Sequence, residues 1–299
     1  MAVGASVAVP LLALALGGMP DSPARLARLA PTDLQVTGST LRVPSWSLGY
    51  AWARSGTTLA LVVKPVATGQ PVRIIDTRTL HTRRVVQVGD RDVCGLTFRG
   101  QTLVALAANQ PCYWAGGTFS VLRIDPVRGR VVSELPVPGL HTAFPTNLAF
   151  GDGKAFVSRA GGGLDVVDLS TGAVLTRRPK RTLAKGEGIV TTRWLGQHLL
   201  GAGPLAIDVR TWRARRLGVG TQGLAPAGND IAAYGPHGVS IYTRGARVRS
   251  TLEEGVAVND VRVVGRMLYA SAGASTDVVE LRTGGIRTVA TARWMLLAN

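Results

Sequence analysis

Leu148-Ala-Phe-Gly-Asp-Gly-Lys-Ala-Phe-Val-Ser158, followed by Leu164-Asp-Val-Val-Asp-Leu-Ser-Thr-Gly-Ala-Val174, is the stretch whose reading decides the fold. In the first part, two apolar runs flank Gly151-Asp-Gly153. In the second, an alternating strand runs into a polar turn at Asp168 and out again at Val174. Alternation with a period of two around a short turn is a hairpin signal. The second part recurs along the chain as Val72-Arg-Ile-Ile-Asp-Thr-Arg-Thr79, Val121-Leu-Arg-Ile-Asp-Pro-Val-Arg-Gly129 and Leu205-Ala-Ile-Asp-Val-Arg-Thr211. Weaker copies are Val239-Ser-Ile-Tyr-Thr-Arg-Gly245 and Val278-Val-Glu-Leu-Arg-Thr-Gly284. The turn positions Asp76, Asp125, Asp168, Asp208, Tyr242 and Glu280 are 49, 43, 40, 34 and 38 residues apart. That spacing is the length of one four-stranded propeller blade, roughly 40–45 residues. Two further strands precede each hairpin, so the chain is expected to be all-β, a single propeller of four-stranded blades.

Six copies are visible, and a seventh blade is expected from joining the two ends. Arg293-Trp-Met-Leu-Leu-Ala-Asn299 would supply its inner strand and residues around Leu34–Val43 its outer ones. Such closure removes exposed sheet edges. No long helical period is present, which argues against an α/β enzyme. Composition agrees. Of 299 residues, 46% are hydrophobic and 17% charged, which excludes a disordered chain, and 37 glycines suit many tight turns.

The stretch quoted at the outset resembles the YVTN-type and quinoprotein-like propeller repeats of bacteria, over about residues 48–292. The resemblance implies strands running from the axis outward in each blade. It also implies that the loops between blades and between second and third strands share one face. Quinoprotein dehydrogenases add a recurrent tryptophan docking motif. Trp212 is the only tryptophan near a hairpin turn, so no quinone, and no other cofactor or metal, is expected.

Residues 2–19 carry no charge and contain the core Val7-Ala-Val-Pro-Leu-Leu-Ala-Leu-Ala-Leu16, followed by Gly17-Gly18. Residues 1–22 are therefore expected to be a secretory signal, or an apolar anchor if uncleaved, with the propeller over 23–299. The protein is expected to be secreted or extracytoplasmic. Cys94 and Cys112 are the only cysteines and are expected to form a disulfide in such a compartment. Cys94 starts an innermost strand and Cys112 lies in the loop after the next strand of the same blade, so strand reversal brings both to one face.

That face is expected to carry the ligand. Tyr113 and Trp114, in the disulfide-tied loop, form an aromatic platform. His141, Glu187, His237 and Asp260 are further candidates, and His141, Glu187 and Asp260 together could form an acid/base group. Gly218-Val-Gly-Thr-Gln-Gly223 matches a dinucleotide pattern but opens no helix, so it reads as a loop between blades.

The formal net charge is +16, and thirty of the thirty-four basic residues are arginine. Arg83, Arg84, Arg177, Arg178, Arg213, Arg215, Arg216, Arg247 and Arg249 all follow hairpin turns and should lie on outermost strands, forming a basic rim. Charge there blocks edge-to-edge pairing and attracts anionic polymers. Nucleic acid is disfavoured by export and by the lack of interleaved aromatics. The expected function is a monomeric, non-enzymatic scaffold at the cell envelope that binds a protein or an anionic polymer. The alternatives are a lyase- or lactonase-type propeller enzyme with a site at the axial mouth, and a structural envelope protein.

Overall fold

The computed structural model describes residues 11–15, 24–31, 34–43, 49–64, 69–112, 114, 116–141, 143, 147–159, 163–177, 190–272, 275–290 and 294–297. They form seven antiparallel sheets of four strands each. Blade 1 contains β4 (Gly49–Ser55), β5 (Thr58–Lys64), β6 (Val72–Asp76) and β7 (Thr82–Val86). Blade 2 contains β8 (Asp92–Arg99), β9 (Thr102–Ala108), β10 (Phe119–Asp125) and β11 (Arg130–Val137). Blade 3 contains β12 (Leu148–Gly151), β13 (Lys154–Ser158), β14 (Leu164–Asp168) and β15 (Val174–Arg177). Blade 4 contains β16 (Thr192–Gly196), β17 (Leu199–Ala202), β18 (Leu205–Asp208) and β19 (Arg213–Arg216). Blade 5 contains β20 (Gly223–Ala227), β21 (Asp230–Gly235), β22 (Gly238–Thr243) and β23 (Val248–Glu254). Blade 6 contains β24 (Asp260–Val264), β25 (Met267–Ala272), β26 (Ser275–Glu280) and β27 (Ile286–Ala290).

The first strands of successive blades, β4 through β24, pack side by side, so they surround the axis and the fourth strands lie outermost. The protein is a seven-bladed β-propeller. Blade 7 joins both ends in the order β28 (Trp294–Leu297), β1 (Leu11–Ala15), β2 (Ala24–Leu29) and β3 (Leu41–Val43). Trp294 to Leu297 pair with Ala15 to Leu12, and Ala13 pairs with Ala27. The inner strand is the C-terminal one, as the sequence suggests. The outer strands come from Ala24–Leu29 and Leu41–Val43, while Leu34 to Val36 contributes only a bridge from Val36 to Leu29. β1 lies inside the apolar stretch read as a signal or anchor.

The recurring turn aspartates have a local reason. Asp125 Oδ1 accepts the backbone N–H of Val127 and of Arg128, each at 2.9 Å. Asp208 Oδ1 accepts Arg210 N at 2.8 Å and Thr211 N at 3.1 Å, and Asp76 Oδ1 accepts Arg78 N at 2.8 Å. Asp168 Oδ1 accepts Ser170 N and Thr171 N, and also the Ser170 hydroxyl at 2.5 Å. A short carboxylate bonding its own turn in this way fixes the hairpin. In blade 5, where Tyr242 stands at the equivalent position, the neighbouring Thr243 hydroxyl accepts Arg247 N at 3.2 Å instead. The four carboxyls are held below the usual range. The leading cause is the Ser170 hydroxyl for Asp168, and the N–H of Arg78, Arg128 and Arg210 for Asp76, Asp125 and Asp208.

Between blades the core is a layer of small and branched apolar residues. Val62, Ile74, Val93, Leu103 and Leu122 fill the space between blades 1 and 2. Near the axis the layers crowd, and glycine admits side chains from the next blade. A Cβ on Gly151 would stand inside the Trp194 indole, and one on Gly95 would meet Leu148 and Phe150. The Trp194 ring stacks on Phe156 with centroids 5.7 Å apart and planes 11° apart. Wedging of this kind is the close-packed interior expected of folded chains.

Candidate functional site

Strands of the inner ring begin on the loop face, and there the axial channel gathers charge. Arg193, second residue of β16, reaches from blade 4 across to blade 6. Its Nη1 donates to Val261 O at 2.9 Å and its Nη2 to Asp260 Oδ1 at 2.8 Å. Asp260, first residue of β24, also accepts its neighbour's backbone, Val261 N, at 2.9 Å and faces Arg262 Nη2 at 3.2 Å. Tyr234 of β21 lies over Gly223 of β20, where a Cβ would collide with its ring. The two arginines and the tyrosine thus converge on one carboxylate from three successive blades.

Electrostatics of this cluster are dominated by burial. Burial opposes the Asp260 carboxylate, but Arg262 and Arg193 outweigh it and hold the group below its ordinary value. Burial, aided by repulsion from Arg193, brings the Arg262 guanidinium down to about 10. Burial raises the Tyr234 phenol. The channel therefore carries two cations against one anion in a partly desolvated place. The described residues contain no group of three His, Cys, Asp or Glu that could hold a metal.

Elsewhere on this face, the Cys94–Cys112 disulfide is present with Cα atoms 5.6 Å apart. It joins the start of β8 to the loop after β9. Asp92 Oδ2 accepts Cys112 N at 2.8 Å, and Cys112 O accepts Ala143 N at 3.0 Å, which ties the loop to the connection into blade 3. Trp114 is 54% exposed although its N–H is fixed to Pro111 O at 2.8 Å. Its neighbour Tyr113 lies outside the described residues, as does Glu187. His141 is exposed on the connection between blades 2 and 3. His237 is exposed on the turn after β21, with its ring against Gly220. Of the expected set's described members, only Asp260 enters the channel cluster.

The rim arginines stand on outermost strands. Arg83, Arg84, Arg177, Arg213, Arg215, Arg216 and Arg249 lie on β7, β15, β19 and β23, and Arg247 directly precedes β23; all are exposed. Arg178 lies outside the described residues. Arg83 pairs with Asp76 and Arg249 with Asp230. Arg177, Arg213, Arg215 and Arg247 have no acidic partner among the described residues. Arg83 and Arg84 also border a cleft of about 510 Å³ between blades 1 and 2, floored by Ile74, Phe98 and Val127. Arg84 Nε donates to Val127 O at 3.2 Å across it.

No family model and no curated protein matches the chain. Solved structures do. The computationally designed Ika8 protein superposes with a TM-score of 0.62 at 14% identity, covering 98% of this chain and 91% of that one. Citrobacter koseri AztD superposes at 0.55 with 11% identity, covering 95% and 87%. BamB from Moraxella catarrhalis gives 0.49 at 15% identity, covering 94% and 95%. At such identities the likeness establishes the fold alone.

Arg193, Arg262 and Tyr234 were not singled out by the sequence reading. A signal was there: Asp260-Val-Arg-Val-Val264 puts Asp260 and Arg262 on one face of a strand that must line the axis. Nothing in the sequence says that Arg193, 67 residues earlier, meets them.

Proposed function

We propose that this protein is an exported, non-enzymatic binding propeller that holds an anionic polymer of the cell envelope along its outer rim. The observation that carries this reading is the placement of exposed arginines on the outermost strands of blades 1, 3, 4 and 5, most of them without acidic partners among the described residues. A ring of guanidiniums at the periphery presents a multivalent surface, to which a linear polyanion binds by summing weak, screened contacts. The disulfide supports an oxidising compartment. The apolar N-terminal segment serves export, and its residues 11–15 stay with the ring as β1.

The test is co-sedimentation with purified cell envelopes across a salt series. Screening shortens from about 10 Å at 0.1 M to about 3 Å at 1 M ionic strength. Binding should be strong at low salt and lost by 1 M, and replacing Arg177, Arg213, Arg215 and Arg247 with glutamine should reduce it at least tenfold. Binding indifferent to salt, or unchanged in the glutamine variant, would refute the reading.

A further inference from the structure

The channel cluster offers a second binding site, of different character from the rim. Its charge does not balance: Asp260 is shared between Arg193 and Arg262, so one positive charge is left over. Asp260 is already committed. Its Oδ1 accepts Arg193 Nη2 and Val261 N, and its Oδ2 faces Arg262 Nη2. Arg262 has donors to spare, and its buried Nε has no hydrogen-bond partner among the described residues. No described residue bonds the Tyr234 hydroxyl, which keeps some exposure at the tip of an otherwise buried residue. A buried donor without an acceptor is costly, the more so when charged, and folded proteins keep such groups chiefly where something else satisfies them.

The place is also reachable. Side-chain exposures of 16% for Arg193, 21% for Arg262 and 36% for Asp260 show that one side of the cluster opens to the channel mouth. All of its members stand where inner strands begin or second strands end, on the loop face. Gly223 leaves the room that Tyr234 occupies.

We propose that the loop-face mouth of the channel binds a compact oxyanion, a carboxylate or phosphate group, held by the Arg262 and Arg193 guanidiniums and the Tyr234 hydroxyl. Arg262 presents the accessible part of its guanidinium to the open side of the cluster, and hydrogen bonds from a guanidinium to an oxyanion are of the strong, charge-assisted kind. Tyr234 donates a third hydrogen bond. Asp260 orients both arginines and at the same time competes with the ligand by repulsion. Removing its charge should therefore tighten binding, an effect opposite to that of losing an ordinary ligand contact.

The experiment measures the affinity of the folded full-length protein for inorganic phosphate and for acetate by calorimetry, at ionic strength held constant with chloride. Saturable binding near one equivalent is expected. Arg262→Leu should weaken it at least tenfold, Tyr234→Phe should weaken it several-fold, and Asp260→Asn should strengthen it. The variant that replaces Arg177, Arg213, Arg215 and Arg247 with glutamine should bind these small anions as the wild type does, which separates this site from the rim. Absence of saturable binding to either anion, equal affinity in Arg262→Leu and wild type, or weaker binding in Asp260→Asn would overturn the proposal. The asparagine variant keeps the shape and decides the matter if the leucine variant does not fold.

Discussion

Removing the Cys94–Cys112 bridge should cost this propeller about 3 kcal/mol, from the chain-entropy relation for a loop closed across a separation of 18 residues. Both half-cystines are buried, at 0% and 1% exposure, in the layer between blades 2 and 3. A Cys94→Ala/Cys112→Ala variant therefore also loses a little packing, whereas reduction of the wild type isolates the cross-link. With an unfolding entropy of about 2.1 cal/mol/K per residue over the whole chain, 3 kcal/mol corresponds to a fall of about 5 °C in the thermal midpoint. Scanning calorimetry of oxidised protein, reduced protein and the double variant measures it. The loop itself should be affected more than the ring. Its base is closed by Asn109 N to Thr118 O at 3.1 Å and Thr118 N to Asn109 Oδ1 at 2.8 Å. Those bonds alone should not hold Trp114 against a protease, so cleavage within 109–118 should accelerate on reduction. Midpoints within about 1 °C of one another in all three samples would refute the entropic reasoning, and two reactive thiols in denatured, unreduced protein would refute the bridge.

Three further outcomes follow from the geometry. Deleting residues 293–299 removes β28 and opens blade 7 on its axial side, so the midpoint of the entire ring should drop; an unchanged midpoint would contradict end-to-end closure. Gly151→Val would force Cβ into the Trp194 indole and should destabilise the protein by about 1–3 kcal/mol or more, read by urea denaturation; a neutral result would mean that blades 3 and 4 are not wedged together there. The turn aspartates, with folded-state values below the unfolded value of about 3.9, contribute stability that is full above that value and lost as pH falls through the folded values. Stability should thus decline steeply below about pH 4, and Asp168→Asn, which keeps the acceptor oxygen, should flatten that decline. An identical acid profile in the asparagine variant would count against the turn carboxylates as its source.

The blades were legible because their signal is local. Asp76, Asp125, Asp168 and Asp208 mark the same hairpin turn, each bonding N–H groups two or three residues on, so the pattern survives in the sequence whatever the tertiary context. The rim followed from it, since residues just past such a turn must lie on the outer strand. The disulfide was equally accessible, because strand reversal within one blade fixes both partners. The channel was not. Arg193 meets Asp260 across an intervening blade, and a contact of that kind depends on the curvature of the closed ring. Residues 11–15 carry a run of leucine and alanine that hydropathy reads as membrane-directed, and their pairing with β2 and β28 gives the same residues a place between two strands.

Pairing of β1 with β28 makes the ring a clasp. Leu12 hydrogen-bonds within a strand whose partner, Leu297, lies nearly the whole chain away. Each doubling of a loop costs only about 0.6 kcal/mol of closure entropy, so fastening the clasp across seven blades costs under about 2 kcal/mol more than closing a single blade. Its price is instead temporal. Six blades can collapse as they emerge from the ribosome, but the seventh waits for its inner strand, β28, and until then blade 1 and blade 6 both present uncovered faces. Closure of the ring is thus gated by synthesis of β28, the strand that fastens it.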